Sequence, residues 1–244
     1  MSNRHKVVWG EALKILVLTG SGISAESGVA TFRDTGGIWA KYDYREVATP
    51  EGFEANPNLV HEFYNLRRAG LKTVEPNAAH FALAKLEAAL SEKGGDVTLV
   101  TQNVDDLHER AGSKNLLHMH GELMKARCAF CKAVTVCIED LSIDDSCKTC
   151  KRSGGMRPDI VWFGEMPMFM DEIAEALSMA DMFVSIGTSG SVYPAAGLVG
   201  EARMRNIPAI ELNLEPSENA SLFTDGRYGK AGEVVPAWVA EILA

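Results

Sequence analysis

Two Cys-x2-Cys pairs, Cys128/Cys131 and Cys147/Cys150, stand fifteen residues apart. That spacing suits two short knuckles, each giving two thiolates to one tetrahedral ion, so residues 121–160 are expected to leave any surrounding sheet and form a zinc module. With sulfur at all four positions the ion has no open site, and its role is structural. Four unrelated thiols would need the same spacing by chance. Five cysteines are an odd number, and no leader segment is evident, so a reducing compartment and metal binding are favoured over disulfides. The fifth, Cys137, lies in the apolar run Ala133–Ile138 and reads as a buried small hydrophobe.

Around this module the chain alternates short apolar runs with longer helical patterns. Ile15–Leu18, Val97–Thr101, Leu116–Met119, Met182–Ile186 and Ala209–Leu214 read as buried strands. Asn77–Ser91 reads as an amphipathic helix with Pro76 at its first position, and Asp171–Ala180, Ala195–Arg205 and Pro236–Leu243 give similar signals. The alternation predicts an α/β fold, a Rossmann-like parallel sheet. Residues 34–72 and 121–160 break the rhythm and are expected to form a smaller zinc-binding domain from two insertions, leaving 1–33, 73–120 and 161–244 to the large one. Net charge is −9, which argues against nucleic acid as a partner. The first apolar run is too short for a membrane span or signal sequence, so a cytoplasmic protein, and a monomer, is expected.

Three segments carry chemistry. TGSGISAESGVATFR (19–33) follows the first strand, and Gly20 and Gly22 permit a tight turn close to a pyrophosphate, with a turn of helix aiming N–H groups at it. A dehydrogenase would return to its sheet within about 30 residues and offer an acid to the ribose. This chain does not return until Val97, so Asp43 and Glu46 fall in an insertion and hydride transfer loses ground. TQNVDDLH (101–108) sets Gln102, Asn103 and Asp105 at a strand's carboxyl end, where a polar ligand would be met, although Asn103 or Asp105 would serve equally as a helix cap. LLHMHGEL (116–123) puts His118 and His120 two apart, on one face if the segment is extended. A metal pair there lacks an evident third ligand. A general base at His120 and a core histidine remain alternatives.

In this order the segments resemble the sirtuins, the NAD-dependent protein-lysine deacylases. The resemblance also runs through PNAAHFALAKLE (76–87), RPDIVWFGE (157–165), IGTSGSVYPAAG (186–197) and ELNLEPS (211–217), and covers nearly the whole chain. It implies NAD as co-substrate, one structural zinc ion and acylated-lysine proteins as partners. Gly20, Ser21, Gly22, Ile23 and Ser24 would then hold NAD phosphates and ribose, with Phe32, Arg33 and Trp39 near the nicotinamide end. Gln102, Asn103, Val104 and Asp105 would meet the nicotinamide and its ribose; Gly187, Thr188, Ser189, Asn213, Leu214, Glu215 and Ala231 would take the adenosine end. His120 would be the general base, acting with Asn103. Val161, Trp162 and Phe163 would line the acyl-lysine cleft and pair with substrate backbone as an added strand. In the family's reaction the acyl oxygen attacks the ribose carbon as nicotinamide leaves, and the products are free lysine and acyl-ADP-ribose.

Tyr64 and Arg67 in EFYNLRRAG resemble the Tyr-x-x-Arg pair of bacterial and mitochondrial sirtuins that remove succinyl and malonyl groups. At i and i+3 both project from one helix face, and a guanidinium with a phenol suits a carboxylate at the end of an apolar tunnel. Ser21 departs from the alanine most members carry between the glycines. An ADP-ribosyltransferase on the same scaffold, or a non-catalytic NAD-sensing module, are the other classes considered.

Overall fold

The computed structural model describes residues 12–30 and 41–244. β1 (Lys14–Thr19) leads into two 3-10 turns, Ser21–Ile23 and Ala25–Ser27. The described residues continue with helices α1 (Tyr44–Val47), α2 (Pro50–Ala55), α3 (Pro57–Leu71) and α4 (Ala78–Glu92). Next come β2 (Asp96–Thr101), α5 (Leu107–Ala111), β3 (Leu116–His118), β4 (Gly121–Cys128), β5 (Val134–Val136) and β6 (Met156–Ile160). The chain closes with α6 (Met170–Met179), β7 (Met182–Ile186), α7 (Leu198–Met204), β8 (Ala209–Asn213), β9 (Asp225–Tyr228) and α8 (Ala231–Leu243).

Six strands form one parallel sheet in the order β3-β2-β1-β7-β8-β9. Successive β1 side chains face opposite ways and both sides are apolar, as a sheet covered by helices on both faces requires. Ile15 and Val17 enter a core with Leu83 and Leu86 of α4 and Val235 and Trp238 of α8. Leu16 and Leu18 enter the other, with Ile173 and Leu177 of α6 and Val199 of α7. From β1 the chain builds outward to β2 and β3 on one side and to β7, β8 and β9 on the other, so strand order reverses between β1 and β7. A crevice outside the strands' carboxyl ends follows from that reversal.

A second, antiparallel sheet, β5-β4-β6, carries the cysteines. Helix α3 packs on it through Val60, Phe63 and Tyr64, in a core shared with Leu107, Leu123, Ile160 and Trp162. Asn65 ties the helix to the zinc module: its Nδ2 donates to the Leu141 carbonyl at 3.0 Å and its Oδ1 accepts from Leu141 N at 2.9 Å.

Several expectations change. Pro76 precedes α4 rather than opening it; Asn77 is the N-cap, in a capping box with His80. Pro236 lies inside α8, which begins five residues earlier at Ala231. The helix expected from Ala195 is a 3-10 turn, Ala195–Gly197, followed by α7. The turn after Gly20 is 3-10 and not α-helical. Cys137 is half-buried, its Sγ directed at the Glu139 carbonyl. β9, polar and exposed on the sheet edge, carries no apolar pattern and had no sequence signal. Among the described residues no helix is long and apolar enough to cross a membrane.

The Sγ atoms of Cys128, Cys131, Cys147 and Cys150 all lie within 4.8 Å of one another. Cys128 to Cys150 is 3.7 Å and Cys131 to Cys147 is 3.6 Å. Such separations are far beyond a disulfide bond, and they match the roughly 3.8 Å between ligands of a tetrahedron with zinc–sulfur bonds of about 2.3 Å. The four thiolates therefore fit a zinc ion. We expect elemental analysis to find one zinc per chain, and chelation or Cys150→Ala to lower the thermal midpoint by roughly 10 °C. An unchanged midpoint in zinc-free protein would contradict a structural role.

Candidate active site

The crevice begins where the turns after β1 and β7 touch. Gly20 N donates to the Ile186 carbonyl and Gly22 N to that of Gly187, both at 2.9 Å. A Cβ on Gly20 or Gly22 would lie 2.8 Å from Gly187 backbone atoms, and one on Gly187, whose φ is +63°, would lie 2.5 Å from Ile23 N. The glycines are thus required first by backbone packing, and the cradle they form has no room for side chains. Ile23 is buried in the core beneath it, and Ser21 is half-buried at its edge.

Ser24, fully buried, gathers the polar groups. Its hydroxyl donates to Asp105 Oδ2 at 3.0 Å and accepts from Asn103 Nδ2 at 3.1 Å; the same Asn103 amide donates to the Gly20 carbonyl. His80 completes the set. Asn77 N donates to its Nδ1, so Nε2 carries the proton and donates to Ser24 Oγ at 3.4 Å. The N-cap of α5 is Asp106, whose side chain makes no cap bond, so the cap expected of Asn103 or Asp105 is not formed as such; Asp105 Oδ1, one residue earlier, accepts from Leu107 N at 3.2 Å alongside its contact to Ser24. Burial raises the Asp105 carboxyl's pKa, while Leu107 N, Ser24 and a positive His118 pull it down. Beneath this layer Thr19 Oγ1 donates to Thr101 Oγ1, and His108 Nε2 donates to Thr19 at 3.1 Å.

β3 ends at His118, so the two histidines do not share a strand face as the sequence suggested. His118 turns to Glu109 and to the Asn103 carbonyl. His120 instead directs Nδ1 at the Gln102 carbonyl, 3.1 Å away. A carbonyl only accepts, so Nδ1 is protonated and Nε2 keeps its lone pair. Burial lowers the His120 pKa, partly offset by the Gln102 bond, leaving the ring neutral at neutral pH. Val104 sits half-buried against the core beside α3, its carbonyl accepting from Leu123 N.

At the other end of the crevice, Asn213 Nδ2 donates to the Thr188 carbonyl at 2.8 Å, tying the turn after β8 to that after β7. Thr188 Oγ1 lies 3.0 Å from Ser185 Oγ, and Ser189 Oγ lies 2.7 Å from Ser191 Oγ. Leu214 and Glu215 are exposed past β8. Ala231 opens α8, where Glu26 Oε1 accepts from Gly232 N at 2.9 Å. Phe32, Arg33 and Trp39 lie outside the described residues.

On the small-domain side, Tyr64 is 1% exposed and accepts a hydrogen bond at Oη from Trp162 Nε1 at 3.0 Å. Burial pushes the phenol up to about 12, so it stays protonated. Arg67 lies over the Phe63 and Tyr64 rings, 5.5 and 5.6 Å from their centroids. Burial lowers its pKa, opposed by Tyr64 and by Asp105, whose charge the guanidinium feels across the crevice. Trp162 is fixed in turn by Arg157, 3.3 Å above its ring, which pairs with Glu165 through both nitrogens. The added strand expected at Val161–Phe163 must be revised. All three N–H groups are used internally: Val161 to the His120 carbonyl, Trp162 to Glu165 Oε2 and Phe163 to the Ala48 carbonyl. A peptide can meet this segment only through its carbonyls and side chains. The sequence reading also missed Arg157, Glu165, His80 and His108, because none of them touches the crevice wall alone and each acts through a partner remote in sequence.

The buried His80 and His108 rings meet edge to face, 4.8 Å between centroids. Burial alone takes His80 from 6.5 to about 4, and it takes His108 well down too, with positive His80 and His118 adding to the effect. In the unfolded chain both would protonate near pH 6.5, so stability is lost as pH falls from there through the folded values. His80 alone accounts for up to about 3 kcal/mol by pH 4. Urea unfolding across that range should show this loss, and His80→Gln should reduce its slope; an unaltered slope would contradict a neutral buried ring.

The Sir2 family profile matches residues 20–194. A Caulobacter vibrioides protein called an NAD-dependent protein deacylase is 60% identical, over 95% of this chain and 98% of its own. A solved Sir2 homologue in complex with NAD shares 36% identity and superposes with a TM-score of 0.83 over 95% of this chain and 91% of that one. A Sir2 structure bound to an acetylated peptide gives 27% and 0.78, over 93% and 92%. The crevice, its glycine contact, the four-thiolate module and these matches along the chain agree, and the protein belongs to the Sir2 family.

Proposed function

We propose that the protein is an NAD-dependent protein-lysine deacylase with a preference for acidic acyl groups, succinyl and malonyl over acetyl. The family membership and the NAD-bound and peptide-bound relatives support the general activity. The observation that carries the specific preference is the group formed by buried Trp162 and Tyr64 with half-buried Arg67. Trp162 can only donate, so Tyr64 Oη accepts from it and keeps its own proton for another acceptor. With Arg67 on the same helix face, a carboxylate at the acyl end would receive a phenol proton and a guanidinium.

NAD supplies the electrophilic ribose carbon and the leaving nicotinamide. The chain's own residues do the rest. The glycine cradle fits a pyrophosphate because it presents backbone where a side chain would intrude. Asn103 and Asp105 are held by Ser24, and so are oriented before any ligand arrives. His120 Nε2, neutral and unprotonated, accepts a proton from a ribose hydroxyl. As pH falls below the His120 pKa, Nε2 protonates and the rate falls with it.

Incubation with NAD and matched acetyl-, malonyl- and succinyl-lysine peptides, following nicotinamide and peptide mass, tests both levels. Loss of no acyl group would overturn the activity; loss of acetyl alone would overturn only the preference, and label transferred from NAD to protein would favour ADP-ribosylation. His120→Tyr should reduce turnover by a hundredfold or more with zinc retained. Arg67→Met should lower desuccinylation by roughly ten- to 150-fold and deacetylation much less. Trp162→Phe, which keeps the ring but removes the N–H, should lower desuccinylation about tenfold and leave deacetylation within about twofold; equal losses would count against the oriented phenol.

A further inference from the structure

His118 occupies a position the catalytic scheme does not use. It is 5% exposed, and both ring nitrogens have partners. Nε2 lies 2.7 Å from Glu109 Oε1, and Nδ1 lies 3.3 Å from the carbonyl oxygen of Asn103. Neither a carboxylate nor a carbonyl can donate, so both contacts are hydrogen bonds only if both nitrogens carry protons. We propose that His118 is a positioning residue, a buried imidazolium clamped between Glu109 and the Asn103 backbone, which holds the Asn103–Asp105 segment against NAD while it stays charged.

The surroundings favour the charge. Glu109 approaches from α5 and Glu122 from β4, and both carboxylates stabilise the imidazolium against its burial. Asp105 gains as well, since a positive His118 holds it toward the anion. Lys125 on β4 carries the opposing charge, but it pairs with Glu122 three residues before it on the same strand and lies close enough to Glu109 for their charges to interact. His108, the remaining titratable neighbour, is kept neutral by burial and by His118 itself. Glu109, His118 and Glu122 bring their ligand atoms within 4.8 Å of one another, a geometry that could suit a cation. The ammonium of Lys125 on Glu122 and the proton between His118 and Glu109 already balance those carboxylates, and the arrangement is complete without a metal.

Two histidines two residues apart are thus set to opposite protonation states. His120 must be neutral to act as base, and His118 must be charged to hold the clamp. Activity then falls on the acid side with His120 and on the alkaline side with His118.

This inference rests on the proposed role of Asn103 and Asp105 at NAD, and its test separates the two. Histidine ring titration by NMR on the whole protein reads His118 without any reaction. We expect it to titrate above 6.5, and Glu109→Gln to shift it downward. In parallel, kcat/KM for NAD should fall above the same midpoint and level off roughly tenfold lower, and the Glu109→Gln profile should move with the ring. His118→Asn keeps a donor for the Asn103 carbonyl but cannot titrate; it should be roughly tenfold slower at neutral pH and lack the alkaline fall. A His118 that titrates at or below 6.5 overturns the imidazolium. A ring that behaves as expected while the alkaline limb stays put in Glu109→Gln overturns the positioning role. Should His118→Asn fail to fold, wild type and Glu109→Gln decide both points.

Discussion

Backbone contact between the turns after β1 and β7 is the constraint on which the rest of the site depends. Gly20 and Gly22 hydrogen-bond to the carbonyls of Ile186 and Gly187, carrying the sheet's ladder past the ends of its strands. Because that contact is too close for any Cβ, the two turns form one surface. It sets Ser24 above the end of β2, where Asn103 and Asp105 converge on its hydroxyl. A single serine thereby joins the turn proposed to face the nucleotide to the residues expected at the reacting sugar. His80 and His108 close the network from below, as neutral rings whose remaining polar atoms are kept from water. Such a network is rigid because each member has few alternative partners.

Electrostatics in the crevice are local. The chain carries a net charge of −9, yet the pocket proposed for the acyl group holds Arg67, and the proposed clamp behind Asn103 holds His118. At the separations inside a partly buried site, these charges outweigh the diffuse field of the surface, which salt screens over about 8–10 Å. Burial pushes His61, His80, His108 and His120 toward the neutral form, and His118 escapes only because two carboxylates face it.

The parallel sheet was legible because five of its six strands are short apolar runs with no other physical use, and the cysteine spacing declared its module. Strand β9 was not, since an exposed edge can be polar. Pro236 misled because proline normally marks a helix start, whereas α8 begins one turn earlier, with Glu26 of the β1 turn accepting from its Gly232 N–H. The candidate site divides in the same way. Gly20, Asn103, Asp105 and His120 stand in segments whose local pattern already suggests a ligand. Arg157, Glu165 and His80 support those segments from a distance, and no local pattern encodes a contact made across the fold. The edge at Val161–Phe163 looked available in sequence, but its amide protons are taken by His120, Glu165 and Ala48.

Asn65, between Tyr64 and Arg67 on α3, grips both backbone groups of Leu141. Leu141 packs with Cys128 and Cys147 in the core around the thiolates. The helix proposed to select the acyl chain is therefore anchored on the module built around the four thiolates. If the proposed selectivity holds, loss of zinc would be a lesion in substrate choice as well as in folding, and metal scarcity would blur the discrimination between acyl groups while the crevice on the other sheet stayed whole.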